Sequence, residues 1–136
     1  MAGYDRPLPV KQPESDYYWD KAKQHELWLR KCNKCNKAYF YPRDFCPRCH
    51  SKDVTWVKSS GRGTVYAFSI AHRSPPPFRD HCPYVVALVE VEDGARIPTN
   101  LVMDDPQPQK IKIGMPVQVV FDDVTPEMTL PKFKPA

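Results

Sequence analysis

The sequence predicts a mainly β chain with one N-terminal helix, a four-cysteine zinc ribbon and a small five-stranded barrel. Three observations carry that expectation. Two C-x-x-C pairs, Cys32/Cys35 and Cys46/Cys49, stand ten residues apart. After Gly61, five short runs rich in β-branched and aromatic residues follow one another, separated by turn signals. Short strands at that spacing suit a barrel better than a sandwich. Ahead of the first cysteine lies a helix-like stretch, SDYYWDKAKQHELWL, beginning at Ser15.

Composition sets the outer bounds. The chain has 136 residues, 41% of them hydrophobic and 12% aromatic, enough to build a packed core. At this length about two-thirds of the unfolded surface is buried on folding, which suits one domain or two small ones. Pro plus Gly come to 16 and 5 residues, about 15% of the chain and well short of the roughly 25–30% of a disordered one. The longest wholly apolar run, Tyr84 to Val89, is far below the ~20 residues of a membrane-spanning helix. The start, Met1-Ala-Gly-Tyr-Asp-Arg-Pro, lacks a charged-then-apolar leader, so the cytoplasm is the expected compartment. Five cysteines cannot all pair within one chain, which agrees with a reducing compartment.

Each element has a local reason. Residues 1–14 hold Pro7, Pro9 and Pro13 and read as an extended arm. The helix follows, with Ser15 or Asp16 as N-cap and acids in the first turn. Its apolar stripe is narrow, so it should dock onto a neighbour. Leu27 to Arg30 reads as a strand into the first cysteine pair, Ala38 to Arg43 as a strand and turn, and Val54 to Val57 as a strand. The barrel strands are Thr64–Ile70, Tyr84–Val91, Arg96–Val102, Val117–Phe121 and Thr129–Phe133, with Glu92-Asp-Gly94 as a hairpin turn. This divides the chain into an arm and helix (1–30), a ribbon (31–60) and a barrel (61–136). In the second barrel strand, Val85, Ala87, Val89 and Val91 share one face. Tyr84, Val86, Leu88 and Glu90 share the other, which is also mostly apolar. That outer face should be covered, either by the ribbon and helix or by a partner protein.

The cysteines carry the clearest chemistry. A C-x-x-C turn aims two thiolates at one point, and two facing turns close a tetrahedral site such as zinc prefers. The residue after each pair often needs positive φ, and Asn36 and His50 occupy those places. With Cys32, Cys35, Cys46 and Cys49 as ligands, no position remains for water or substrate, so the metal is expected to be one structural zinc. Iron in a rubredoxin-like electron carrier has the same ligand set, and a dithiol redox pair is a third option.

The remaining reactive groups are weaker. Cys82 precedes Pro83 and should be extended, so that adjacent His81 points away from it. A nucleophile pair would need His72 or another distant residue, and a half-buried loop thiol is the plainer reading. No Ser/His/Asp order, H-E-x-x-H, P-loop or G-x-G-x-x-G is present. The loop from Ala71 to Pro83 gathers His72, Arg73, Phe78, Arg79 and His81 around Pro75-Pro76-Pro77. Prolines lower the entropy lost on holding a loop, and cations beside an aromatic suit a ligand with phosphate and base. A solvated surface loop explains the same residues. Lys110 and Lys112 lie near the barrel rim.

Charge separates the two halves. Residues 1–60 hold 12 Lys/Arg and 7 Asp/Glu, a balance of +5, and residues 61–136 hold 8 and 9, a balance of −1. A basic chain hints at a phosphate-bearing partner, nucleic acid or phosphorylated cofactor. The barrel, however, is slightly acidic where a nucleic-acid groove should be basic.

Several segments together carry a resemblance: Tyr18-Trp19, CNKC…YPRDFCPRC, SSGRGTVYAFSIAH, PYVVALVEVEDG and KIGMPVQVVF. Over residues 15–123 the chain resembles the acyl-CoA-associated family that joins a rubredoxin-like zinc ribbon to an OB-fold. Gln24-His25 stands where a Gly is expected in that family. The resemblance implies a small, non-catalytic partner of a thiolase-fold enzyme, in a hetero-oligomer whose other subunit supplies the catalytic residues. Such enzymes include thiolases, synthases condensing acyl-CoAs, and aldolases cleaving steroid side-chain CoA thioesters. A chain of this size resembles in particular the small subunit of a benzylsuccinate-pathway thiolase and the OB-fold partner of a steroid side-chain aldolase. The four cysteines carry over as zinc ligands. The resemblance further implies help in holding the coenzyme A part of the substrate, for which Arg62, Arg73, Phe78, Arg79, Lys110 and Lys112 are the candidates. The alternatives are a zinc-ribbon/OB-fold nucleic-acid-binding module, and a self-sufficient hydrolase or aldolase using Cys82 or His72.

Overall fold

The N-terminal helix α1, Asp16–Lys23, lies against both the ribbon and the barrel rather than standing free. The structure, a computed structural model, describes residues 4–136; the first three residues of the extended arm lie outside the described residues. Tyr18, Trp19 and Ala22 are the buried face of α1, and the Trp19 indole N–H donates to the Tyr41 hydroxyl at 2.8 Å. Ser15 is the N-cap, but its side chain turns back to the Gln12 backbone instead of capping the helix.

The helix ends sooner than its helix-like sequence suggests, and the reason is local. His25 adopts φ 61°, and its N–H donates to the Ala22 carbonyl at 2.9 Å. The Glu26 N–H reaches the Lys21 carbonyl at 3.0 Å. This pair of bonds is a Schellman motif, with His25 in the left-handed place that glycine usually takes.

The ribbon is a three-stranded antiparallel sheet in the order β2-β1-β3, built from β1 (Trp28–Cys32), β2 (Lys37–Tyr39) and β3 (Val54–Lys58). Five further strands close the barrel: β4 (Arg62–Ala71), β5 (Tyr84–Val91), β6 (Arg96–Leu101), β7 (Pro116–Asp123) and β8 (Thr129–Pro135). Their order is β4-β5-β6-β8-β7, with β4 and β7 pairing across the seam. Short 3₁₀ turns, Arg79–His81 and Pro108–Lys110, interrupt the two long loops. Among the described residues no helix is long and apolar enough to cross a membrane.

The Gly61-Arg-Gly63 motif marks where the chain enters the barrel. Gly61 has φ 78° and lies against Val119. A Cβ at Gly63 would come within 2.6 Å of the Glu90 carbonyl oxygen, so the backbones of β4 and β5 pass too closely for a side chain.

One core runs through helix, ribbon and barrel. Leu29 and Ala38 of the ribbon belong to the same buried cluster as Val65, Val89 and Phe133 of the barrel. On β5, Val85, Ala87, Val89 and Val91 are all buried, as the alternation predicts. The opposite face is not fully covered: Val86 is 45% exposed there. Val117, Val119 and Phe121 alternate with Gln118 and Asp122, a pattern that predicts one wet face on β7; the contrast is blurred, because α1 packs on β7 and β8 and the His25 ring stacks on Phe121 at 5.1 Å.

Candidate functional site

Two knuckles bring the four cysteine sulfurs together. Cys32 and Cys35 sit at the tight turn from β1 to β2, and Cys46 and Cys49 on the loop that precedes β3. As the sequence predicts, the residue after each pair is left-handed, Asn36 at φ 58° and His50 at φ 62°. The Asn36 N–H donates to the Cys32 carbonyl and the His50 N–H to the Cys46 carbonyl, both at 2.8 Å. Those turns aim further amides at sulfur: the Cys35 N–H reaches Cys32 Sγ at 3.3 Å and the Arg48 N–H reaches Cys46 Sγ at 3.4 Å.

The sulfurs fit a metal. All four lie within 4.8 Å of one another, with Cys32–Cys49 at 3.6 Å and Cys35–Cys46 at 3.9 Å. A tetrahedron with metal–sulfur bonds of about 2.3 Å has edges of about 3.8 Å. Backbone N–H groups of Cys49 and Arg48 pull the Cys46 thiol down to about 6, whereas donation to Cys49 pushes the Cys35 thiol up to about 12. A dication at the centre of the four sulfurs would displace their protons. Outside the ligands, the Tyr39 hydroxyl donates to the Arg43 carbonyl at 2.6 Å and the Arg48 guanidinium to the Ala38 carbonyl at 3.2 Å, bracing the two knuckles.

Residues 19–55 match the family model described as the rubredoxin-like zinc ribbon domain of ChsH2, and residues 56–122 the model of its C-terminal OB-fold domain. The chain belongs to the ChsH2 (DUF35) family. It is 41% identical over 131 residues to a probable enoyl-CoA hydratase alpha subunit of Thermomonospora curvata, covering 96% of this chain and 40% of that protein. Thus the chain spans about two-fifths of that relative's length. A DUF35 domain-containing scaffold protein of Methanothermobacter thermautotrophicus is 37% identical over 105 residues, 76% of this chain and 77% of the relative. Among solved structures, a chain of the Ltp2-ChsH2(DUF35) aldolase superposes with TM-score 0.80 at 40% identity, covering 94% of this chain and 98% of that one.

The six residues named for coenzyme A do not converge. Arg73 and Arg79 line one open cleft of about 540 Å³ together with His72, Ser74 and Pro75. Phe78 faces a neighbouring cavity on the other side of the loop. Arg62 lies at the far end of β4, up to about 30 Å away along the strand, and is paired with Glu92 at 3.0 Å. Lys110 folds back on Asp105, and exposed Lys112 belongs to the turn before β7. Arg73 and Arg79 are therefore the two cations of the set that share a cleft.

The histidines and the fifth cysteine form no catalytic pair among the described residues. Cys82 is half-buried and its thiol donates to the Phe78 carbonyl at 3.6 Å. His81 is turned away onto Asp5 at 2.9 Å. Arg6 and Asp5 of the N-terminal arm stand beside the triple-proline loop, an approach that no local pattern in the sequence signals because the segments are about seventy residues apart.

Proposed function

We propose that this chain is a non-catalytic accessory subunit of a thiolase-type acyl-CoA enzyme. It braces a thiolase-fold catalytic subunit in a hetero-oligomer and contributes to binding the CoA thioester. The observation that carries the reading is the fit of nearly the whole chain on a chain of the Ltp2-ChsH2(DUF35) aldolase, TM-score 0.80 over 94% of its length. Two features support it. The four thiolates fill a tetrahedral coordination sphere, so the zinc they would hold is structural and has no open position for substrate. Cys82 and His81 are each held by a different partner, and neither is poised as nucleophile and base. The partner subunit then supplies the chemistry: thiolytic or retro-aldol carbon–carbon cleavage, or Claisen condensation.

Within this reading, Arg73 and Arg79 are the residues best placed to meet the 3′-phospho-ADP end of CoA. They flank one cleft on a loop stiffened by Pro75, Pro76 and Pro77. Purification from the native source, with mass spectrometry of what accompanies the chain, tests the proposal. A thiolase-fold protein should co-purify, and the R73A/R79A double variant should raise KM for the CoA thioester in the complex while kcat holds. A stable lone monomer without effect on any such enzyme would sink the accessory role. Unchanged KM would remove the two arginines from it.

A further inference from the structure

At the end of the barrel nearest the triple-proline loop lies a cavity of about 220 Å³. It opens between the start of β5, the end of β6 and β8, and the N-terminal arm closes one side. Its walls are polar and apolar in about equal measure, with Phe78, Tyr84 and Met103 the largest of the apolar side chains. Arg6, His81 and Lys132 also face it.

The partners around it are unevenly shared. His81 is taken up by Asp5 at 2.9 Å, and Lys132 by Asp122 at 2.7 Å. Arg6 shares Asp5 with His81 and lies over the Tyr4 ring at 4.5 Å. Its nearest carboxylate oxygen, on Asp5, is 3.7 Å from Nε, too far for a hydrogen bond. The Arg6 Nε atom is buried and has no hydrogen-bond partner at all. A buried guanidinium N–H without an acceptor carries a desolvation penalty that no hydrogen bond within the protein offsets. An acceptor placed in the cavity would remove that penalty.

Position in the fold points the same way. OB-folds bind their ligands on the second and third strands beside the loop joining the first two. Here those are β5, β6 and the loop from Ala71 to Pro83, the elements that line this cavity. The volume is below the roughly 300–1,000 Å³ of ordinary cofactor and drug-sized sites, so the occupant is small.

We propose that this cavity is a binding site for a small carboxylate with an apolar body, such as a short-chain carboxylic acid. Phe78, Tyr84 and Met103 hold the apolar body and Arg6, delivered by the N-terminal arm, takes the carboxylate through a charge-assisted hydrogen bond. The site is separate from the cleft of Arg73 and Arg79 and stands whether or not the chain assembles with a catalytic subunit.

The test is titration of the full, zinc-loaded, ¹⁵N-labelled chain with hexanoate, hexan-1-ol and acetate, followed by amide chemical shifts. Hexanoate should give saturable shifts centred on His81, Asn100 and Met103. Hexanol, which lacks the charge, and acetate, which lacks the body, should each bind about tenfold more weakly. R6Q should weaken hexanoate about tenfold and leave hexanol unchanged. The spectrum of R6Q reports its own folding, so loss of affinity is not confused with loss of structure. Shifts that never saturate, that map away from these residues, or that persist at full affinity in R6Q would each overturn the proposal.

Discussion

His25 and Asp123 join the helix to the far end of the barrel: His25 Nε2 lies 3.0 Å from Asp123 Oδ2, with the imidazole stacked on Phe121 two residues earlier. The same carboxylate accepts the Thr129 hydroxyl. That hydroxyl first, and the His25 ring second, hold the Asp123 carboxyl below its ordinary value. The carboxylate therefore contributes stability that is fully present above about pH 4, the unfolded value, and is lost as pH falls through the lower folded value. D123N should be less stable than the parent near neutrality, and the gap should close on acidification below about pH 4. Urea unfolding of both proteins across that range measures it; a pH-independent gap would contradict the assignment.

His25 also carries a backbone cost. A non-glycine residue in the left-handed region gives up about 1 kcal/mol. H25G removes that cost together with the stacking, so its melting temperature should stay within a few degrees of the parent. H25V keeps the cost, adds β-branching and loses the contacts, and should melt clearly lower. Equal melting temperatures for H25G and H25V would show that the Schellman turn does not end α1.

Much of this architecture was legible from the chain, and the part that was not has a common cause. The left-handed Asn36 and His50, the inward Val85–Val91 face and the barrel strands follow from spacing and alternation, which are local. The early end of α1 was not legible because the sequence places a histidine where the turn wants glycine. The coenzyme A set failed to gather for another reason. Arg62 and Arg73 bracket β4, and a ten-residue strand separates its ends by its own length. The cavity at Arg6 depends on a contact between the arm and the loop at His81, which no periodicity encodes.

Gly63 offers a test of the close approach of β4 and β5. G63A places a methyl 2.6 Å from the Glu90 carbonyl oxygen and 2.9 Å from a Val89 methyl, both in the paired strand. Backbone on one side and core on the other cannot both yield, so the cost should be about 1–3 kcal/mol, the range for overpacking. Gly94, where an added Cβ meets nothing within 4 Å, has φ 94°. G94A thus reports backbone strain alone, about 1 kcal/mol. Denaturant midpoints of the two variants separate clash from conformation, and G63A losing no more than G94A would refute the clash.

The metal decides whether the ribbon folds. Zinc at the four thiolates should be colourless and present at about one per chain, whereas a ferric site would be red. Removal by a chelator should unfold β1–β3, which depend on the cluster, while the barrel core persists around Val65, Val89 and Phe133. Hydrogen exchange of the apo chain should show lost protection at Leu29 and Trp56 with retained protection at Val89. Retained protection throughout would mean that the ribbon is held by its packing rather than its metal.

Barrel closure rests on a narrow contact. β6 and β8 pair only at Leu101 and Phe133, and the next bond, Val102 N–H to the Phe133 carbonyl at 2.6 Å, is the adjoining rung. Phe133 is 0% exposed, and its side chain fills the core beneath that rung. F133A removes both the buried ring and the packing that holds β6 against β8, at a cost of about 3–5 kcal/mol. Against a typical total of about 5–15 kcal/mol, that is enough to leave the variant marginal. F133L keeps most of the volume and should cost less than about 1.5 kcal/mol. V86S, on the open face of β5, should change stability by less than about 0.5 kcal/mol. Urea unfolding of the three variants ranks them. F133A no less stable than F133L would mean that β7 and the shared core, rather than Phe133, hold β8 in place.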